Sequence, residues 1–295
     1  MFSTLGSFFT CAARQFGRAA LTLALTGASA LAWADDDEGR GKMLALGDSV
    51  VFGYITQDGF AYVNPDNFLA YPELVGNALR LNATNPSCPG ETTAGFLSLT
   101  GDDNGCRPFR ANFPLHAAYS RTQLEFATAY LGANKKTRLV TLSLGANDGF
   151  RLLAACRGDA ACIQAGLPAA LGAVFANLNT ILSNLRATGF KGVLMVVNYY
   201  STDYSDLAAT GLTVALNQTL AAAAGANGAV VADAFTAFQN AAGVAGGRTC
   251  LTGLLNGSNP QTSPFTCDVH PSLTGQRLLA KTVVATYRAA RRADD

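Results

Sequence analysis

The chain has two histidines in 295 residues. One of them stands where a proton can be usefully moved. His270 lies in Asp268-Val269-His270-Pro271, just ahead of a helical pattern, and is the leading general base. A base of this kind needs a nucleophile. Gly47-Asp48-Ser49-Val50 directly follows an apolar, strand-like run. A serine at the carboxyl end of a parallel strand is placed for chemistry, although a serine there also serves as a helix cap. Asn147, in Gly145-Ala146-Asn147-Asp148, follows a second such run. Its amide either donates to a developing oxyanion or bonds its own turn. Gly90, in Cys88-Pro89-Gly90-Glu91-Thr92, lets a backbone N–H approach a substrate oxygen, or simply makes a Pro-Gly turn. The other histidine, His116 in Pro114-Leu115-His116-Ala117, has no such neighbours and reads as structural.

These residues need a scaffold that brings distant strand ends together. Residues 42–47, 137–144, 192–199 and 228–233 are near-continuous β-branched and apolar runs, as in a sheet covered on both faces. Helical spacing fills the gaps. In 167–188, Leu171, Val174, Phe175, Leu178, Ile181, Leu182 and Leu185 recur at three and four residues. Residues 68–80, 211–224 and 273–291 are further helical candidates. Strands separated by helices imply right-handed crossovers and a three-layer α/β/α sandwich with a parallel sheet. Residues 50–116 and 243–268 are otherwise irregular, and long loops of this kind are functional or tied down.

Residues 1–34 have the layout of a secretory signal. Arg14 and Arg18 precede an apolar run from Ala19 to about Leu31, Ala32-Trp33-Ala34 offers a cleavage site, and Asp35 to Glu38 follow. The expected mature chain, 35–295, is a single domain. Losing Arg14 and Arg18 takes the formal charge from +1 to −1, which argues against nucleic acid as a partner. No later stretch reads as apolar for long enough to span a bilayer, so no stable membrane insertion is expected. Cys11 leaves with the leader, and the remaining six cysteines fall into local pairs: Cys88 with Cys106, Cys156 with Cys162, and Cys250 with Cys267. Fifteen connectivities are open to six cysteines, and free buried thiols are the other reading. Bridges would fit an oxidising compartment, secreted or periplasmic. The histidine count and the lack of Cys-x-x-Cys spacing argue against a zinc site, so neither metal nor cofactor is expected.

Taken in order, Gly-Asp-Ser, the Cys88-Pro89-Gly90-Glu91-Thr92-Thr93 block, Gly-x-Asn-Asp and Asp-x-His-Pro resemble the SGNH superfamily, the GDSL-type lipases and esterases. The resemblance spans residues 43–282. The glycine block and the three cysteine pairs look like its secreted bacterial branch. The resemblance implies a flavodoxin-like sandwich of five parallel strands in the order 2-1-3-4-5, the fifth strand falling near 78–85. It also implies carboxylic ester hydrolysis without a cofactor. Ser49 and His270 would be catalytic, and Ser49, Gly90 and Asn147 would form the oxyanion hole. Val50 replaces the motif's leucine, a chemically trivial change. The common acid position, three residues before the histidine, is Cys267 here. Asp268, on the same side of an extended segment as His270, is the expected third member, with a backbone carbonyl as the alternative. Asp48 and Asp148 read as scaffold carboxylates. Relatives of this kind cleave lipid esters, short-chain or aryl esters, phospholipid acyl groups and polysaccharide acetyl groups. A monomer acting on a small-molecule or lipid ester is expected, with a carbohydrate acetyl esterase or a non-catalytic binding protein as rivals. The Cys88 and Cys250 loops are expected to shape the pocket. Phe52, Tyr54, Phe96, Phe150, Tyr199, Tyr200 and Tyr204 are expected to line it or to belong to the core.

Overall fold

A computed structural model describes residues 40–56, 59–257 and 267–294, so the expected leader lies outside the described residues. The apolar runs form β1 (Gly41–Gly47), β2 (Leu81–Thr84), β3 (Thr137–Ser143), β4 (Val193–Val197) and β5 (Val230–Ala232). They make one parallel sheet in the order β2-β1-β3-β4-β5. The order reverses between β1 and β3, and ligands bind beyond the carboxyl ends of the strands at such a point.

The helices are α1 (Ser49–Phe52), α2 (Tyr71–Leu79), α3 (Thr93–Leu97), α4 (Cys106–Asn112), α5 (Gln123–Ala133), α6 (Ala146–Cys156), α7 (Ala160–Ala187), α8 (Leu207–Ala226), α9 (Ala234–Ala242) and α10 (Leu273–Asp294). Helices α2, α9 and α10 cover one face of the sheet, and α5, α7 and α8 cover the other. Leu44, Leu46, Leu139 and Leu142 lie between the layers with no exposure. Full burial of such a side chain contributes about 1.5–3 kcal/mol.

Several expectations are corrected. The helix read at 167–188 begins at Ala160, capped by the Asp159 side chain on the Cys162 N–H, and continues through Pro168. Proline lacks an N–H and suits a first turn, so the residues before it do not read as helix from sequence. Residues 50–116 hold most of α1 and two further short helices, α3 and α4, besides the expected α2. Residues 243–268 contribute to a two-stranded antiparallel ribbon, β6 (Leu255–Gly257) and β7 (Cys267–Pro271). Helices α7 and α8 are each long and apolar enough to cross a membrane by length and composition. That departs from the expectation of no such stretch. Alanine supplies much of this apolar character, and α7 turns Val174, Leu178, Ile181, Leu182 and Leu185 into the core.

Candidate active site

Gly47 ends β1 at φ 142°, and a Cβ there would lie 2.1 Å from the Ser143 carbonyl oxygen. Only glycine lets the strand turn this closely into Asp48 and Ser49. Asp48 caps α1. One oxygen accepts the Val50 N–H at 3.0 Å and the other the Tyr199 hydroxyl at 2.6 Å. Burial pushes the Asp48 carboxyl up to about 6, against the pull of those two donors. Ser49 is the first residue of α1, so its N–H is one of those with no intrahelical acceptor.

The partner of Ser49 comes from β7. Residues two apart on a strand face the same way, and Asp268 and His270 meet. His270 Nδ1 lies 2.6 Å from Asp268 Oδ1, and His270 Nε2 lies 2.9 Å from Ser49 Oγ. A carboxylate only accepts, so Nδ1 carries the hydrogen and Nε2 presents its lone pair to the serine hydroxyl. Asp268 also accepts the Thr56 N–H at 3.0 Å. Burial raises the Asp268 carboxyl, but its bonds to His270 and Thr56 outweigh this and hold it below the ordinary range. The strand is pinned by Tyr200, whose hydroxyl donates to the Val269 carbonyl at 2.6 Å. The Tyr54 ring stands edge-on to His270 at 5.0 Å. Behind the pair, Gln276 on α10 donates to the Val50 carbonyl and accepts the Tyr71 N–H, each at 2.9 Å. The start of the last helix is thus tied to the turn that carries Ser49.

Asn147 and Gly90 are joined through a third residue. The Asn147 amide donates to the Glu91 carbonyl at 2.9 Å, and its oxygen accepts from the Asn104 side chain at 2.8 Å. These two bonds fix the amide orientation and leave one Nδ2 hydrogen for a ligand. The Asn104 backbone N–H donates to the Gly90 carbonyl at 3.1 Å. Gly90 has φ 83°, and a Cβ on it would sit 2.5 Å from the Asn104 carbonyl oxygen. Asp148 accepts the Thr93 N–H and hydroxyl at 3.0 and 2.6 Å, the scaffold role expected of it.

One buried amide links the two halves. Gln123 at the start of α5 accepts the Gly47 N–H at 2.7 Å and donates to the Gly47 carbonyl at 3.0 Å. Its NH2 also approaches the Glu91 carboxyl at 3.4 Å. Burial, with Asp103 nearby, pushes Glu91 up to about 8, so its side chain is largely protonated at neutral pH.

Ser49, Asn147 and His270 border one cavity of about 240 Å³ that runs between α6, α7 and α8. Phe150, Tyr199 and Tyr200 line it, while Phe52, Phe96 and Tyr204 are buried elsewhere in the core. His116 bonds the Phe52 carbonyl at 3.0 Å and takes no part in the site. The cysteines pair as Cys88–Cys106, Cys156–Cys162 and Cys250–Cys267. The expectation that the Cys88 loop shapes the pocket fails, because that loop does not border this cavity, while the Cys250 loop lies partly outside the described residues and borders it at none of the described ones. The Cys156–Cys162 bridge closes the α6–α7 turn, and those two helices do border it. Thr56, Glu91, Asn104 and Gln123 were not singled out from sequence. Only Glu91, inside the glycine block, carried a signal there.

A parallel α/β/α sandwich carries this Ser–His contact at its switch point, and the family whose pattern the chain matches makes it a carboxylic ester hydrolase. Residues 45–278 match the GDSL-like lipase/acylhydrolase family, and the chain belongs to it. No match was found among curated protein sequences. Among solved structures, a phospholipase A1 from Streptomyces albidoflavus NA297 is 20% identical at a TM-score of 0.57, covering 84% of this chain and 99% of that one. An acetylxylan esterase from Geobacillus stearothermophilus is 15% identical at 0.51, covering 84% and 94%. An alpha/beta hydrolase enzyme from the metagenome of Lake Arreo, Spain, is 14% identical at 0.50, covering 84% and 95%. These likenesses are of fold.

Proposed function

We propose that the chain is an exported serine esterase that works through Ser49, His270 and Asp268. The unbroken line of contacts from Ser49 Oγ through His270 to Asp268, at 2.9 and 2.6 Å, carries this reading. Ser49 Oγ attacks the ester carbonyl as its proton passes to His270 Nε2. The oxyanion is held by the N–H groups of Ser49 and Gly90 and by the Asn147 amide. His270 protonates the leaving alcohol, the C–O bond breaks, and a water deprotonated by the same nitrogen releases the acid. Asp268 keeps Nδ1 protonated and balances the imidazolium.

The mature enzyme is the single domain 35–295, freed of a leader at 1–34 and delivered to the cell exterior or periplasm as a monomer. Three disulfides support the oxidising destination. Trp33 is the only tryptophan, so the secreted enzyme should show no tryptophan emission. A normal tryptophan band in protein recovered from the medium or periplasm would overturn cleavage after Ala34. The chemistry is tested with 4-nitrophenyl esters and a serine-reactive phosphonate. Label on Ser49 and loss of turnover in S49A are expected. A folded S49A that keeps most activity would remove the assignment.

A further inference from the structure

The catalytic atoms do not say which end of an ester enters the cavity, but its walls do. Phe150, Leu153, Ile163, Leu167, Leu171 and Leu212 face it from α6, α7 and α8. From Ala160 to Leu185, and through all of α8, there is no Asp, Glu, Lys or Arg. Among the described residues, the only carboxylate bordering the cavity is Asp48, and both its oxygens already accept hydrogen bonds. Ser201, Thr202 and Thr213 also border the cavity, but against the aliphatic wall of α6 and α7 a sugar or glycerol hydroxyl would be buried without partners, which is costly. A hydrocarbon chain loses nothing there. At roughly 30 Å³ for a group the size of a water or a methylene, 240 Å³ holds about eight carbons.

We infer that this cavity is the acyl-chain site and that the enzyme selects straight, apolar acyl groups of about eight carbons over acetyl. The inference rests on the serine-esterase reading above and names its substrate class. It sets this chain apart from an acetyl esterase, whose acyl group needs no such volume. Small residues keep the space open. Ala170 borders it, as does Gly149, where a Cβ would meet nothing within 4 Å.

The test varies the two ends of the ester separately. With 4-nitrophenol fixed, kcat/KM should rise about three- to fourfold per added methylene and level off near octanoate. With the acyl group fixed as acetyl, lengthening an alkyl alcohol should have little effect. Ala170→Phe should lower the octanoate-to-acetate ratio of kcat/KM by at least tenfold. A second measurement needs neither turnover nor that variant. Calorimetric titration of the S49A protein should detect octanoate binding at least a hundredfold tighter than acetate. Equal binding of octanoate and acetate would overturn the acyl site whatever the kinetics show, as would a profile that follows alcohol length. Phosphonate labelling of Ser49 with best turnover on acetate would sink the chain-length inference and leave the esterase intact. Octanoate binding without turnover or labelling would do the reverse.

Discussion

The sharpest perturbation concerns Asn104, which touches both Asn147 and Gly90 and is itself exposed at the surface. Asn147→Ala removes the proposed oxyanion donor outright, worth about 3 kcal/mol, so kcat should fall by about 10²–10³ with KM little changed. Asn104→Ala keeps the donor but frees its orientation. It deletes the 2.8 Å bond to the Asn147 oxygen, while the backbone bond to Gly90 survives. One such hydrogen bond is worth about 1 kcal/mol net, so kcat should fall roughly five- to tenfold. The loss should be in kcat, because a misaligned amide weakens the transition state and not the ester's docking. Asn104→Asp substitutes two acceptors for the donor and faces the Asn147 oxygen with a like dipole, so it should cost more than alanine. The decisive assay is a double-mutant cycle by steady-state kinetics on one ester. If Asn104 acts only through Asn147, adding Asn104→Ala to Asn147→Ala should cost nothing further. Additive losses, or an Asn147→Ala protein with more than a tenth of wild-type kcat, would refute the proposed oxyanion geometry.

Three more outcomes follow from the site. Asp268→Asn keeps the shape of the side chain but favours the wrong imidazole tautomer, and single-turnover kinetics should show a loss of about 10³–10⁴. A loss under tenfold would mean another group orients His270. Glu91 is protonated in the fold to about 8, well above an unfolded carboxyl, so the folded state binds the extra proton between those limits. Its favourable contribution is complete below the ordinary carboxyl range and disappears as pH rises through about 8. Glu91→Gln should therefore flatten the fall in Tm between pH 5 and 9, and an unchanged slope in thermal melts would count against a neutral Glu91. Replacing Cys156 and Cys162 by serine opens a short loop, costing about 2 kcal/mol by denaturant titration. It should also blunt the octanoate preference more than acetate turnover, since α6 and α7 both border the cavity.

The strands that carry Ser49 and Asn147 were legible because a doubly covered parallel strand has no solvent face to dilute its apolar run. β2 was placed only through the family resemblance. It is four residues, Leu-Asn-Ala-Thr, at the sheet edge and only partly buried, so its sequence carries no such run. Asp268 departs from the usual acid position, yet its two-residue offset from His270 fitted an extended segment, and β7 is one. The residues that hold the site together were not legible. Thr56 contributes a backbone N–H, to which its side-chain identity gives no clue. Gln123 and Asn104 become neighbours of the site only after the chain returns across tens of residues. Polar residues on a loop or a helix start look alike in sequence whether or not a buried amide awaits them.

Gln123 has a consequence for how Ser49 is held level. β1 pairs with β2 only as far as Thr84, so beyond Leu44 its edge on that side has no strand beside it. At Gly47 the Gln123 side chain presents a donor and an acceptor together, as a neighbouring peptide unit would. Glutamate would lack the donor and asparagine the reach. One side chain thus impersonates a missing strand, and the height of Ser49 above the sheet is set from the first turn of a helix some seventy residues away in the chain.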